Sequence, residues 1–133
     1  MRRLGLCDYT FSAGDGALQH ILDATGGKGC EVSIDCSGAP AARLLALQGT
    51  RQWGRCVFVG EGNKVEFDVS PILIHQQITL FGSWVTSLKH LEELLEHLDR
   101  WKIHPDATCM ERLPLREAAR AYDLADKGQT GKV

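Results

Sequence analysis

The chain has 133 residues, 44% of them hydrophobic, and a net charge of −2 with acidic and basic residues interspersed. That size and apolar content allow a packed core and exclude a disordered chain. No Lys/Arg run exceeds two residues, no apolar run approaches membrane-spanning length, and Met1-Arg2-Arg3-Leu4 is not followed by an apolar signal core; a nucleic-acid surface, a membrane span and secretion are therefore not expected.

In chain order, Asp8-Tyr9-Thr10-Phe11 is a short β-prone run ended by Ser12-Ala13-Gly14. Asp15 is placed to cap a helix carrying Ala17, Leu18, Ile21 and Leu22, which Gly26-Gly27 ends. Glu31-Val32-Ser33-Ile34-Asp35-Cys36 reads as a strand closed by Ser37-Gly38. Pro40 suits the first turn of a second helix through Leu44, Leu45 and Leu47, which Gly54 breaks. Arg55-Cys56-Val57-Phe58-Val59-Gly60 is almost continuously apolar, as a strand covered on both faces should be. These pieces form a β-α-β-α-β series, which implies parallel strands, right-handed crossovers and helices on the sheet faces.

Beyond Gly60, Val65-Glu66-Phe67-Asp68-Val69 alternates apolar and acidic residues, the pattern of an edge strand with one wet face. Ser70-Pro71 opens a short helical piece, Ile72 to His75, and Gln77 to Trp84 reads as another strand. Ser87 caps a helix whose apolar stripe is Leu88, Leu91, Leu94, Leu95, Leu98 and Trp101. Ala107 to Leu113 reads as one more strand, and Leu115 to Lys127 as a final helix ended by Gly128. Trp101 and Trp84 are assigned to core packing, Trp84 also standing where it could border a substrate pocket.

Five cysteines, Cys7, Cys30, Cys36, Cys56 and Cys109, are scattered with no Cys-x-x-Cys spacing. An odd set of this kind points to free thiols in a reducing, cytoplasmic compartment, with Cys30, Cys36 and Cys56 as small apolar core residues. His90 and His97 share a helix face but stand two turns apart, too far for one ion. No metal site and no catalytic residue is assigned.

The ordered set of segments resembles the zinc-type medium-chain alcohol dehydrogenases over nearly the whole chain. Glu31 to Gly38 looks like the fourth strand of their cofactor domain, Gly54 to Gly60 like the fifth and Ile78 to Ser83 like the sixth. Leu113-Pro114-Leu115-Arg116-Glu117-Ala118-Ala119-Arg120-Ala121-Tyr122, with Gly131-Lys132-Val133, resembles their C-terminal helix and final strand. The nearest subgroup is the alcohol, polyol and threonine dehydrogenases. The resemblance implies an α/β fold: the later half of a doubly wound, Rossmann-type parallel sheet, residues 1–84, followed by a C-terminal helical segment, 85–133, that belongs in part to the catalytic domain. It also implies, in an intact enzyme, hydride transfer between an alcohol and NAD or NADP, assisted by zinc.

Carried over residue by residue, Ser37 and Gly38 match positions beside the adenosine half of the cofactor, Val59 and Gly60 positions near the nicotinamide, and Thr79, Leu80 and Phe81 main-chain positions facing the carboxamide. These are strand-end positions, where ligands sit in open parallel sheets. The family's glycine-rich phosphate turn, its ribose-reading strand and its zinc ligands have no counterpart here; Gly14-Asp15-Gly16 lacks the third glycine at the required spacing. The expectation is therefore a dehydrogenase fragment that is inactive and binds cofactor weakly alone, the alternative being a non-catalytic interaction module. Self-association is also expected, through residues 65 to 69 or through the edge that the missing strands would leave open.

Overall fold

The computed structural model describes residue 5 and residues 7–62, 64–128 and 130–133. The chain divides into two units, Met1–Val85 and Thr86–Val133.

The first unit is built on three parallel strands, β1 (Cys30–Asp35), β2 (Thr50–Phe58) and β3 (Thr79–Gly82), adjacent in that order. Helix α1 (Ala17–Ala24) precedes β1, and α2 (Pro40–Gln48) crosses from β1 to β2. This is the α/β class expected. Pro40 fills the first helical position of α2, where no amide partner is needed, and Ala39 before it is extended, as the proline ring requires. At the end of α1 the chain turns through left-handed Gly26 and Gly27, and the Gly27 amide donates to the Leu22 carbonyl at 2.7 Å.

Register places Val32 beside Arg55, Ser33 beside Cys56, Ile34 beside Val57 and Asp35 beside Phe58. β3 continues the rows, with Leu80 beside Cys56 and Phe81 beside Val57. Because strand side chains alternate, Ser33, Asp35, Cys56 and Phe58 share one face and Val32, Ile34, Val57 and Phe81 the other. α2 lies over the first face. Leu47, Cys56 and Ile78 form the buried centre there, backed by Ala46, Phe58, Phe67, Ile72 and Leu73. On the second face Val32, Ile34 and Phe81 are exposed.

Several expectations are corrected. Asp8 to Phe11 is not a strand; Tyr9 stacks on Phe11, and Phe11 on His20 at 5.3 Å between ring centroids. Gly16, left-handed at φ 84°, is the cap residue of α1, and no side chain caps that helix, so Asp15 does not play this part. Gly54 lies inside β2, which begins at Thr50; the register shifts there, Trp53 adopts a φ of 62°, and a Cβ on Gly54 would press on the Arg51 carbonyl at 2.7 Å. Residues 65 to 69 form no strand. Their alternation instead half-buries Val65 and Phe67 and exposes Glu66 and Asp68, and Phe67 packs against the core. The segment after it, Ser70–Ile74, is a single π-helical turn. Cys36 is exposed and Cys30 half-buried, so only Cys56 of the three is a core residue.

In the second unit, helix α3 (Leu88–Trp101) starts where expected, with the Ser87 hydroxyl accepting from the His90 amide at 3.1 Å. Lys102, left-handed at φ 55°, ends it. Leu88, Leu91, Leu94, Leu95 and Trp101 on the apolar stripe are exposed, which corrects the core assignment of Trp101; its ring stacks on His97 at 4.7 Å. Trp84, in the first unit, is exposed as well. The expected strand from Ala107 to Leu113 is a 3-10 turn, Pro105–Thr108, followed by an isolated parallel bridge between Cys109 and Lys132. The final helix is split into a 3-10 turn, Leu115–Glu117, and α4 (Ala118–Asp126), after which Gly128 turns left-handed. None of the described residues of this unit is buried, because its apolar stripes have too few elements of their own to pack on. No helix among the described residues is long and apolar enough to cross a membrane.

Candidate functional site

The C-terminal ends of β1 and β2 meet in one constellation. Asp35, the last residue of β1, is buried, and its carboxylate organises the following turn. It accepts hydrogen bonds from the Ser37 amide at 3.1 Å, the Ser37 hydroxyl at 2.8 Å and the Gly38 amide at 3.0 Å. Its main-chain carbonyl accepts from the Val59 and Gly60 amides at 2.9 and 3.0 Å, which ties the turn after β2 to the end of β1. Arg43, one turn into α2, completes the clamp. Its Nε lies 3.6 Å from the Asp35 carboxylate, a terminal nitrogen donates to the Gly60 carbonyl at 2.6 Å, and the guanidinium rests 5.6 Å over the Phe58 ring.

Gly38 and Gly60 are required by this closeness. Gly38 is left-handed at φ 70°, and a Cβ there would collide with the Glu61 carbonyl oxygen; a Cβ on Gly60 would collide with the Gly38 amide nitrogen. The two turns therefore interlock backbone to backbone, leaving Ser37 and Val59 exposed on the outer side.

Burial pushes the Asp35 carboxyl upward, but the bonds from Ser37 and Gly38 and the Arg43 charge outweigh it, and the group is held below its ordinary value. An ionised, fully engaged carboxylate is a fastener and not a proton acceptor. Burial raises the Cys56 thiol, against a hydrogen bond from the Thr50 side chain, so Cys56 remains a protonated core residue.

The structure thus brings Ser37, Gly38, Val59 and Gly60 together. Phe81 stands one register position before the end of β3, level with Val57, whereas Thr79 and Leu80 lie in its first half, level with Arg55 and Cys56; all three are exposed. Asp35 and Arg43, which hold the site, were not among the residues singled out from sequence. The Asp-x-Ser-Gly spacing at residues 35 to 38 is the local signal for the carboxylate's turn, while Arg43 carries none.

Among the described residues no group of three His, Cys, Asp or Glu side chains could hold a metal ion. The donor set does not fit a catalytic zinc, which needs three converging protein ligands and an open position. What the strand ends offer is main-chain polarity on a rigid frame, suited to positioning a ligand.

Parallel strands in adjacent order, a helical crossover between the first two and a turn cluster at their C-terminal ends are those of a Rossmann-type α/β sheet. Residues 1–100 match the family model described as zinc-binding dehydrogenase, and the chain belongs to that family. It is 44% identical over 132 residues to an uncharacterized zinc-type alcohol dehydrogenase-like protein, YphC, of Escherichia coli (strain K12), covering 99% of this chain and 37% of the relative. It is 29% identical to the L-threonine 3-dehydrogenase of Pyrococcus horikoshii over 87% of this chain and 34% of that one. In fold it is similar to the alcohol dehydrogenase of Aeropyrum pernix, with a TM-score of 0.80 at 22% identity, over 97% of this chain and 36% of that one. The chain therefore spans little more than a third of the length of the relatives it matches.

Proposed function

We propose that this chain supplies part of the cofactor pocket of an NAD(P)-dependent, zinc-type alcohol dehydrogenase, and that it does not turn over alcohol by itself. The observation that carries this is the interlocked pair of turns, Ser37-Gly38 and Val59-Gly60, fixed at the ends of adjacent parallel strands by Asp35 and Arg43. In this reading residues 1–84 are the cofactor portion and 85–133 a helical segment that belongs in part to the catalytic domain. Ser37 and Gly38 face the adenosine half, Val59 and Gly60 the nicotinamide, and Thr79, Leu80 and Phe81 present main-chain groups to the carboxamide. Zinc and the pyrophosphate turn belong to parts of the family's length that these residues do not match. The five free thiols suit a cytoplasmic enzyme.

The test is an amide chemical-shift titration of the chain with NAD and NADP, alongside an absorbance assay over a panel of alcohols. Shifts confined to residues 37–38, 59–60 and 79–81 at millimolar cofactor, with no turnover, are the expected result. Robust turnover by the pure chain, micromolar cofactor affinity, or shifts mapping elsewhere would overturn the reading.

A further inference from the structure

Arg43 links the start of α2 to the turn after β2. Pro40 fixes the first helical position, so Arg43 lies one turn in. Side chains on a helix lean towards its N-terminus, which aims a residue at this place back at the strand ends. The guanidinium rests over the Phe58 ring, brings Nε to 3.6 Å from the Asp35 carboxylate and donates from a terminal nitrogen to the Gly60 carbonyl at 2.6 Å. A lysine could not do all three, because only a planar fork points donors in fixed directions while its face lies on a ring.

The two turns are held in different ways. The first, Ser37-Gly38, hangs on the Asp35 carboxylate by three hydrogen bonds, and the Ser37 hydroxyl in turn accepts from the Ala39 amide at 3.2 Å. The second, Val59-Gly60, gives both its amides to the Asp35 main-chain carbonyl. Among the described residues, the side chain that bonds this second turn is that of Arg43. The contact of Gly60 with Gly38 limits how closely the turns approach, but a steric contact does not stop them separating. The Arg43 bond supplies that second limit. With its amide on Asp35 and its carbonyl on Arg43, Gly60 is tied on both sides of its Cα, and the freedom that glycine otherwise has in φ and ψ is removed.

We propose that Arg43 is a positioning residue for the nicotinamide half of the cofactor, holding the turn after β2 where Val59 and Gly60 meet that ring. This rests on the placement of Val59 and Gly60 in the dehydrogenase reading above. The role is selective. Removing Arg43 leaves the bonds of the Asp35 carboxylate to Ser37 and Gly38 in place, so the adenosine side keeps its frame while Gly60 regains its freedom. A residue that only held the fold together would weaken both halves alike.

The test is a pair of amide chemical-shift titrations of the whole chain, one with nicotinamide mononucleotide and one with adenosine monophosphate, in the wild type, Arg43→Met and Arg43→Lys. Methionine keeps an apolar stem without a donor; lysine keeps the charge but reaches one partner at a time. Far-ultraviolet circular dichroism and protection of the buried Cys56 thiol show whether each variant is folded. In Arg43→Met the mononucleotide response at residues 59–60 should weaken by about tenfold or more, the worth of a hydrogen bond to a charged group. The adenosine monophosphate response at residues 37–38 should stay within about twofold. Without ligand, the Val59 and Gly60 amides should exchange faster, and Arg43→Lys should fall between wild type and Arg43→Met. If Arg43→Met is unfolded, a weakening in Arg43→Lys confined to the nicotinamide half carries the proposal. An unchanged mononucleotide response in folded Arg43→Met, or in Arg43→Lys where the former is unfolded, overturns the role and leaves the dehydrogenase reading standing, as does an equal loss at both turns. A wild type that responds to neither probe overturns the dehydrogenase reading and this role with it.

Discussion

Replacing Asp35 by alanine removes the acceptor of three hydrogen bonds and the partner of Arg43 in one step. Asp35 is 4% exposed and the Arg43 side chain 12%, so the Arg43 guanidinium and the buried Gly38 amide left behind cannot simply turn to water. Breaking a buried pair by deleting one partner costs about 3–5 kcal/mol. The buried Gly38 amide, turned towards a missing carboxylate, sets the lower bound, since one unsatisfied buried donor alone costs about 1–3 kcal/mol. We therefore expect Asp35→Ala to destabilise the first unit by about 3–5 kcal/mol and Asp35→Asn, which keeps one acceptor oxygen, by about 1–3 kcal/mol. Urea unfolding followed by tryptophan fluorescence measures this, because Trp53 lies in β2. The pH dependence supplies an independent arm. The folded carboxyl lies below its ordinary value, so its contribution is fully present above the unfolded pKa of about 3.9 and is lost as pH falls through the folded one. Wild-type stability should fall more steeply below about pH 4 than that of Asp35→Asn. A loss under about 1 kcal/mol for Asp35→Ala, or parallel acid profiles, would refute the clamp.

Three further outcomes follow from the same geometry. Gly60→Ala should cost about 1–3 kcal/mol or more by driving a methyl group into the Gly38 amide, and its amide shifts should change at both turns; a silent substitution would mean that the turns do not interlock. Exposed Cys7 and Cys36 should react first with a thiol reagent, and buried Cys56 only on unfolding, an order that mass-resolved labelling reads directly. Ser87→Ala should weaken α3 by about 1 kcal/mol through loss of the bond to the His90 amide, seen as reduced helical circular dichroism and faster amide exchange in its first turn.

What could be read in the sequence was whatever is written locally. A proline at the first position of α2, a serine before α3 and glycine pairs after α1 are conformational instructions carried by the residue itself, and each is obeyed. Asp8 to Phe11 and residues 65 to 69 show the limit. β propensity and alternation say which side of a segment faces water, not whether a neighbouring strand is there to take its hydrogen bonds. Phe67 reaches the core without any ladder. In the site, the glycines and Ser37 could be found because turns select residue types, whereas the Asp35–Arg43 contact joins the end of a strand to the following helix and follows no helix or strand period. Arg43 could be placed only once α2 had been laid across the sheet.

The two faces of the sheet carry the last step of the argument. A parallel strand in an α/β protein is apolar on both sides because helices cover both. Here Cys56 and Phe58 look towards α2 and are covered, while Val32, Ile34 and Phe81, one row over, are exposed. A sheet meant to be half-wet would carry polar residues on that second face. Thr79 and Arg55 are the polar members of its rows, and the others are apolar. The alternation expected of a two-layer protein is therefore absent from strands that sit in a two-layer unit. The residues of β1, β2 and β3 specify a third layer that the described residues of the first unit do not contain. This agrees, on wholly separate grounds, with relatives nearly three times as long, since the chain covers 37% and 34% of two of them.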